Sequence, residues 1–272
     1  MKLIRSIFEP IRPRLKPSFI IVGAQKAGTS ALFKALSEHP KVIPPDTKEL
    51  DFFSKDDRFD QGVNHYLQQF PVKPWKYQNE ITFEASPSYL ESQVAPMRIN
   101  DTLPGVRVIM VLRDPVKRAF SAWNMFRQFK DHPIYSYLYD PRSFEVAIED
   151  ELKNRVEYSR KYLSRGLYVE NVKRYLETFI KDRVLILSYP QYRKEPSTVL
   201  NKICEFIDIE KFEEQSTAGS RTANVRPYEH SIDPTMKEVL YRHYAPYMRD
   251  LRGLIGNTAD ICEDDAYRHL WT

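Results

Sequence analysis

A lysine, two hydroxyl residues and two glycines stand close together in Phe19-Ile-Ile-Val-Gly23-Ala-Gln-Lys26-Ala27-Gly28-Thr29-Ser30-Ala31, at a spacing suited to a phosphate- or sulfate-like anion. The apolar β-branched run reads as a strand, the glycines permit a tight turn, and Thr29 opens a segment of helical pattern. Backbone N–H groups that converge where a helix begins, with the partial positive charge of that end, attract an anion. In a Walker A loop the lysine directly precedes Ser/Thr, so that its ammonium reaches the β/γ-phosphates while the hydroxyl holds Mg²⁺. Here Gly28 precedes Thr29 and the lysine comes earlier, which disfavours a nucleoside triphosphatase. The earlier lysine suits a shorter anion: a 5′-phosphate carrying one transferable group, with Lys26 near the bridging oxygen. The alternative for these residues is a plain strand-to-helix turn.

A second anchor follows the apolar run Val106 to Leu112, the clearest buried strand in the chain. Arg113 stands at its carboxyl end, Asp114-Pro115 reads as the cap and first residue of a helix, and Ser121 lies nearly two turns into that helix. A guanidinium at the helix entrance and a hydroxyl along it can share one phosphate. The alternative is that Arg113 pairs with Asp114 or another carboxylate and Ser121 is an ordinary helical residue.

The elements that must position these groups alternate along the chain. Strands are expected at about 19–23, 81–84, 106–112 and 184–188. Helices are expected at about 29–37, after Pro87, and at 115–126, 143–154, 168–180, 197–207 and 234–252. Pro44-Pro45, Pro71 and Pro74 make 41–79 read as a long irregular segment, and 215–232 reads as another. Apolar strands separated by helices imply an α/β fold: a single domain with a central parallel sheet flanked by helices on both faces. Ligands gather at the carboxyl ends of such strands.

Composition narrows the partners. The chain has 272 residues, of which 42% are apolar, enough for one large core. The formal charge of +4, from 41 basic and 37 acidic residues, gives no bulk attraction for nucleic acid. No apolar run approaches the roughly 20 residues needed to cross a bilayer. Residues 1–16 form a basic N-terminal arm ahead of a domain at 17–272; peripheral membrane contact is the alternative to its packing on the domain, with Pro10 and Pro13 interrupting a surface helix. Cys204 and Cys262 match neither a CxxC pair nor a disulfide framework, so a cytoplasmic location, at most at the membrane surface, is expected. The scattered histidines show no metal-ligand spacing, and no metal is expected.

With both anchors read, the chain resembles the sulfotransferases that use 3′-phosphoadenosine 5′-phosphosulfate (PAPS). Gly23 to Ser30 looks like that family's 5′-phosphosulfate loop, and Val111-Leu-Arg113-Asp-Pro-Val-Lys-Arg-Ala-Phe-Ser121 looks like its 3′-phosphate motif. The resemblance implies a P-loop-like domain in which Lys26, Ala27, Gly28, Thr29 and Ser30 hold the 5′ end of PAPS, while Arg113 and Ser121 hold the 3′-phosphate. Within the family the chain is most similar to the carbohydrate branch typified by heparan sulfate sulfotransferases. Lys48-Glu49-Leu-Asp51-Phe52-Phe53 resembles its K-E-x-H-F-F segment, with Asp51 in place of histidine, which implies Glu49 as the general base. Ile81-Thr-Phe-Glu84-Ala85-Ser-Pro-Ser-Tyr89 resembles V-E-K-[ST]-x-x-Y, but Ala85 replaces the lysine, so no catalytic lysine carries over there; Glu84 is the alternative base.

Gly219-Ser-Arg221 sits where the family has a basic loop closing over the nucleotide, which implies a nucleotide contact from Arg221. The expected reaction moves a sulfuryl group from PAPS to a hydroxyl of an acceptor, a glycan, lipid or similar molecule, with Lys26 as electrostatic stabiliser. A base flanked by Phe52 and Phe53 in a water-poor site would have its pKa pushed upward. Two other classes remain. A P-loop kinase would require ATP and Mg²⁺, against which the displaced lysine argues; a non-catalytic nucleotide-binding module would be marked by a missing Lys26 or base.

Overall fold

Four apolar runs become strands, β1 (Pro17–Gly23), β2 (Thr82–Ala85), β3 (Arg107–Leu112) and β4 (Val184–Ser188), all paired in parallel in the order β2-β1-β3-β4. The structure is a computed structural model and describes residues 13–76, 79–155, 161–212 and 231–272. Successive strand residues point to opposite faces, yet nearly every residue of β1, β2 and β3 is buried. Both faces of the sheet are therefore covered, as an all-parallel sheet requires. The crossovers are α1 (Thr29–Ser37), α2 (Ala95–Thr102), α3 (Pro115–Arg127), α4 (Phe144–Leu152) and α5 (Tyr168–Thr178). After β4 come α6 (Tyr189–Lys194), α7 (Pro196–Ile207) and the long α8 (Pro234–Ile255).

The strand order locates the site. From β1 the chain goes to β2 on one side, then returns to β3 on the other, so the connections diverge between β1 and β3. A crevice opens at the carboxyl ends of strands where order reverses in this way. The Gly23 to Gly28 loop leaves β1 there, and Arg113 follows β3 there.

Three local expectations are corrected. The segment 41–79 is not wholly irregular, because it holds two short helices, Asp56–Phe59 and Val63–Leu67. Aromatic burial overrides the prolines: Tyr66 stacks on Phe52 with ring centroids 4.6 Å apart and meets Phe53 at 4.9 Å and Phe70 at 5.0 Å. The helix expected after Pro87 is a single 3₁₀ turn, Pro87–Tyr89, and regular helix resumes only at Ala95. Leu90 N–H donates to Val22 O at 2.8 Å, which ties the backbone to β1 and ends the turn. Finally, α6 was not expected; Ser188 caps it by accepting from Gln191 N–H.

Residues 1–12 of the basic arm lie outside the described residues. The rest of the arm is stitched to the domain, since Leu15 N–H donates to Pro71 O, Lys73 N–H donates to Pro13 O, and the Leu15 side chain is buried.

Candidate active site

The β1 loop is shaped around its glycine. Gly28 is the N-cap of α1 at φ 84°, a left-handed conformation, and a Cβ there would lie 2.8 Å from Cε2 of Tyr189. Any larger residue would both strain the backbone and strike the ring. No side chain caps α1, so its first-turn N–H groups have no capping oxygen from the helix's own N-cap residue. Thr29 is buried, Ser30 is half-buried and Ala27 is fully buried behind the turn. Lys26 also has a left-handed backbone, at φ 67°, which for a non-glycine residue costs on the order of 1 kcal/mol or more.

Arg113 meets this loop directly. Its Nη1 donates to the carbonyl of Lys26 at 3.0 Å, its Nε donates to Glu263 Oε1 at 2.8 Å, and its guanidinium carbon lies 4.7 Å from the centre of the Tyr189 ring. The Tyr168 hydroxyl donates to the Arg113 carbonyl at 2.9 Å. Asp114 accepts from Val116 and Lys117 N–H through Oδ1, as an N-cap should, and from the Tyr241 hydroxyl and Glu263 N–H through Oδ2. Ser121 is buried on α3, two turns from that cap. The structure thus brings Lys26, Gly28 and Arg113 together, and the expected carboxylate partner of Arg113 is also real: it is Glu263.

The β2 edge carries the two candidate bases, and their environments are the reverse of expectation. Glu49 N–H donates to Ala85 O at 3.2 Å, which holds it beside the carboxyl end of β2, in the left-handed region at φ 64°. Its side chain is 52% exposed and ion-paired with Lys48. Phe52 and Phe53 do not flank it, because both point into the aromatic core with Tyr66. Glu84 instead is fully buried, and it accepts hydroxyl hydrogen bonds from Tyr66 at 2.6 Å, Ser86 at 2.7 Å and Tyr89 at 2.5 Å. Burial pushes its pKa up to about 7 against the opposing pull of these three donors. Asp51 shares the network, accepting from Ser88 Oγ at 2.6 Å and donating its N–H to Ser86 Oγ at 3.0 Å.

The raised Glu84 pKa has a sign. Between the ordinary carboxylate value of 4.5 and about 7, the folded chain keeps a proton here that the unfolded chain releases. This contribution to stability is full below the lower value and is lost as pH rises through the higher one. Melting temperatures across that range are expected to fall with pH more steeply in the wild type than in Glu84→Gln; equal slopes would remove Glu84 as the cause.

A brace adjoins the site. Arg165 donates to Gln25 Oε1 at 3.0 Å and pairs with Glu91 at 2.9 Å, linking the β1 loop to the segment after β2. Glu151 holds that arginine's own segment by accepting N–H donors from Tyr162, Leu163 and Ser164. Beyond Glu91 opens a cavity of about 410 Å³ whose lining includes Lys161, Ser164, Glu170, Asn171 and Tyr247.

Sequence reasoning places Arg165-Gly166-Leu-Tyr168 and Val184-Leu-Ile-Leu-Ser-Tyr189 within the family similarity but gives Arg165 and Tyr189 no role, and it misses Glu263 altogether. Tyr189 directly follows β4, a position where a parallel sheet presents ligand contacts, whereas nothing in the sequence marked Glu263. The aromatic residues Tyr66, Tyr89 and Trp123 belong to the core, whereas Trp75 is exposed. Arg221 lies outside the described residues. Among the described residues no group of three His, Cys, Asp or Glu is placed to hold a metal ion, and no helix is long and apolar enough to cross a membrane.

Comparison with known proteins agrees with this geometry. The family described as "Sulfotransferase domain" matches residues 16–226. The human bifunctional heparan sulfate N-deacetylase/N-sulfotransferase 3 is 29% identical over 199 residues, covering 71% of this chain and 22% of that protein. The chain thus spans about a fifth of the length of the curated relatives it matches. A sulfotransferase from Alicyclobacillus acidocaldarius superposes with a TM-score of 0.72 at 26% identity, over 93% of this chain and 99% of that one. A mouse sulfotransferase, SULT7A1, complexed with PAP, shares the fold with a TM-score of 0.54 at 16% identity, over 93% of this chain and 88% of that one. A glycine-turned loop after β1, an arginine bonded to it across the β1–β3 crevice, and a family match over most of the chain have one reading: the chain belongs to the PAPS-dependent sulfotransferase family.

Proposed function

We propose that this chain transfers a sulfuryl group from PAPS to an acceptor on a carbohydrate, with Glu49 as general base. The observation that carries the reading is the 3.0 Å hydrogen bond from Arg113 to the Lys26 carbonyl, which brings the two motifs together, as a shared nucleotide seat requires. The residues fit the donor: Gly28 takes the left-handed turn and the close approach to Tyr189 that shape the loop, and α1 presents first-turn N–H groups with no side-chain cap. Lys26, Ala27, Gly28, Thr29 and Ser30 would hold the 5′ end, and Arg113 with Ser121 the 3′-phosphate. PAPS supplies an electrophilic sulfuryl group on a phosphate leaving group.

The chain's own residues then do three things. The Lys26 ammonium and the α1 amides act as preorganised donors for charge developing on the leaving phosphate oxygen. Glu49, at the neighbouring strand end, takes the proton released as the acceptor's new bond to sulfur forms. Arg165, fixed to Gln25, keeps the loop in place while positioning does most of the work. Glu84 is the less suitable base, because its oxygens are already engaged by three hydroxyls in the core.

Glu91, tied through Arg165 to Gln25 of the β1 loop, also lines a cavity with Lys161, Glu170, Asn171 and Tyr247, whose polar groups offer hydrogen bonds to a polyol. A hydroxyl acceptor is the first reading. A glycan amine is the second, favoured by relatives named as N-sulfotransferases. The test is calorimetric titration with adenosine 3′,5′-bisphosphate and with ATP, without metal, followed by transfer of isotopically labelled sulfate to hydroxyl-only and amine-bearing oligosaccharides. Binding of the bisphosphate over ATP and labelled oligosaccharide are expected. Preference for ATP would reject the reading, and the position of label separates the two acceptors.

A further inference from the structure

The ion pair between Arg113 and Glu263 is not demanded by the nucleotide seat, and its construction is deliberate. Both partners are nearly buried, with side chains 9% and 14% exposed. Glu263 N–H is held by Asp114 Oδ2 at 3.0 Å, and the preceding Ile261 and Cys262 are buried in the core. The main chain is therefore fixed at the entrance of α3, and it delivers a carboxylate to the Nε edge of the guanidinium. Glu263 also lies beyond residues 16–226, where the family match ends.

We propose that Glu263 is a built-in competitor for the nucleotide's 3′-phosphate: it holds Arg113 in the nucleotide-free protein, yields when that phosphate arrives, and retakes the arginine as the product leaves. The proposal rests on the reading of Arg113 as the 3′-phosphate contact. Donor and product carry the same 3′-phosphate, so a seat with an unopposed arginine would grip the product as firmly as the donor. A carboxylate on the guanidinium neutralises it and repels a second anion brought to the same group. Its loss leaves the arginine oriented, because the Lys26 carbonyl and the face of Tyr189 still hold it. The lost repulsion therefore outweighs the lost orientation, and removal of Glu263 tightens binding.

The test measures affinity and dissociation rate of adenosine 3′,5′-bisphosphate and adenosine 5′-phosphate for the wild type, Glu263→Gln, Glu263→Ala and Arg113→Ala, with melting temperatures to confirm folding. Both Glu263 variants are expected to bind the bisphosphate about tenfold more tightly and release it more slowly, with the 5′-phosphate unchanged. If Glu263→Ala weakens the bisphosphate while Glu263→Gln matches the wild type, Glu263 is an orienting brace and the proposal is overturned. Equal shifts for both nucleotides also overturn it. Failure of the underlying reading looks different: Arg113→Ala would then leave the bisphosphate's advantage over the 5′-phosphate intact, and the proposal would fall with its seat.

Discussion

Lys26→Ala is expected to lower kcat by about 10²- to 10³-fold, the cost of removing one preorganised donor from developing negative charge. The lysine follows a turn that the protein maintains against local preference, at φ 67°, and its carbonyl is pinned by Arg113. The ammonium therefore springs from a fixed base at the switch point between β1 and β3. Its effect should fall on turnover rather than on affinity for the bisphosphate product, because the α1 amides and Arg113 remain. A left-handed alanine costs some stability, so Lys26→Met, which has the same backbone demand as lysine and no charge, is the companion variant. A kcat within threefold of wild type in a folded Lys26→Met would assign the leaving-group charge to the loop amides alone.

Glu49→Gln is expected to depress kcat by about 10²- to 10⁴-fold, the range of general-base catalysis, with affinity for adenosine 3′,5′-bisphosphate nearly intact. Glu49 is tethered by its N–H to Ala85 O at the carboxyl end of β2, the strand paired with β1, so the amide variant keeps the same backbone and nearly the same volume. Its ion pair with Lys48 breaks in the variant, but the pair is exposed and contributes little to stability. Glu84→Gln is the control. Full turnover in Glu49→Gln together with loss in Glu84→Gln would move the base into the buried hydroxyl network.

The parallel sheet was legible because strands buried on both faces read as unbroken apolar runs, and the cap Asp114-Pro115 was legible because capping is a local matter. The helix predicted after Pro87 was not local: Leu90 gives its N–H to β1, a decision made by tertiary pairing. The same holds at the site. Lys26, Gly28 and Arg113 announced themselves through spacing around strand ends, whereas Glu263 reaches Arg113 from 150 residues away and no periodicity could point to it. The environment of Glu49 was misjudged for a related reason. Phe52 and Phe53 follow it in sequence, yet the left-handed residues Glu49 and Asp51 turn the chain so that the aromatics enter the core while the carboxylate stays outside.

The hydrogen bond between Arg113 and the Lys26 carbonyl sets a fixed span across the crevice. In the proposed reading the protein then works as a caliper whose jaws are the α1 amides and the guanidinium, with the Arg113 side chain anchored on a backbone carbonyl of the loop itself. A nucleotide is gauged by the distance between its two ends, and a polyphosphate chain fails because it puts its charge at the wrong length, however much charge it carries. Selection of the donor would therefore survive high salt, which screens charge but leaves length untouched.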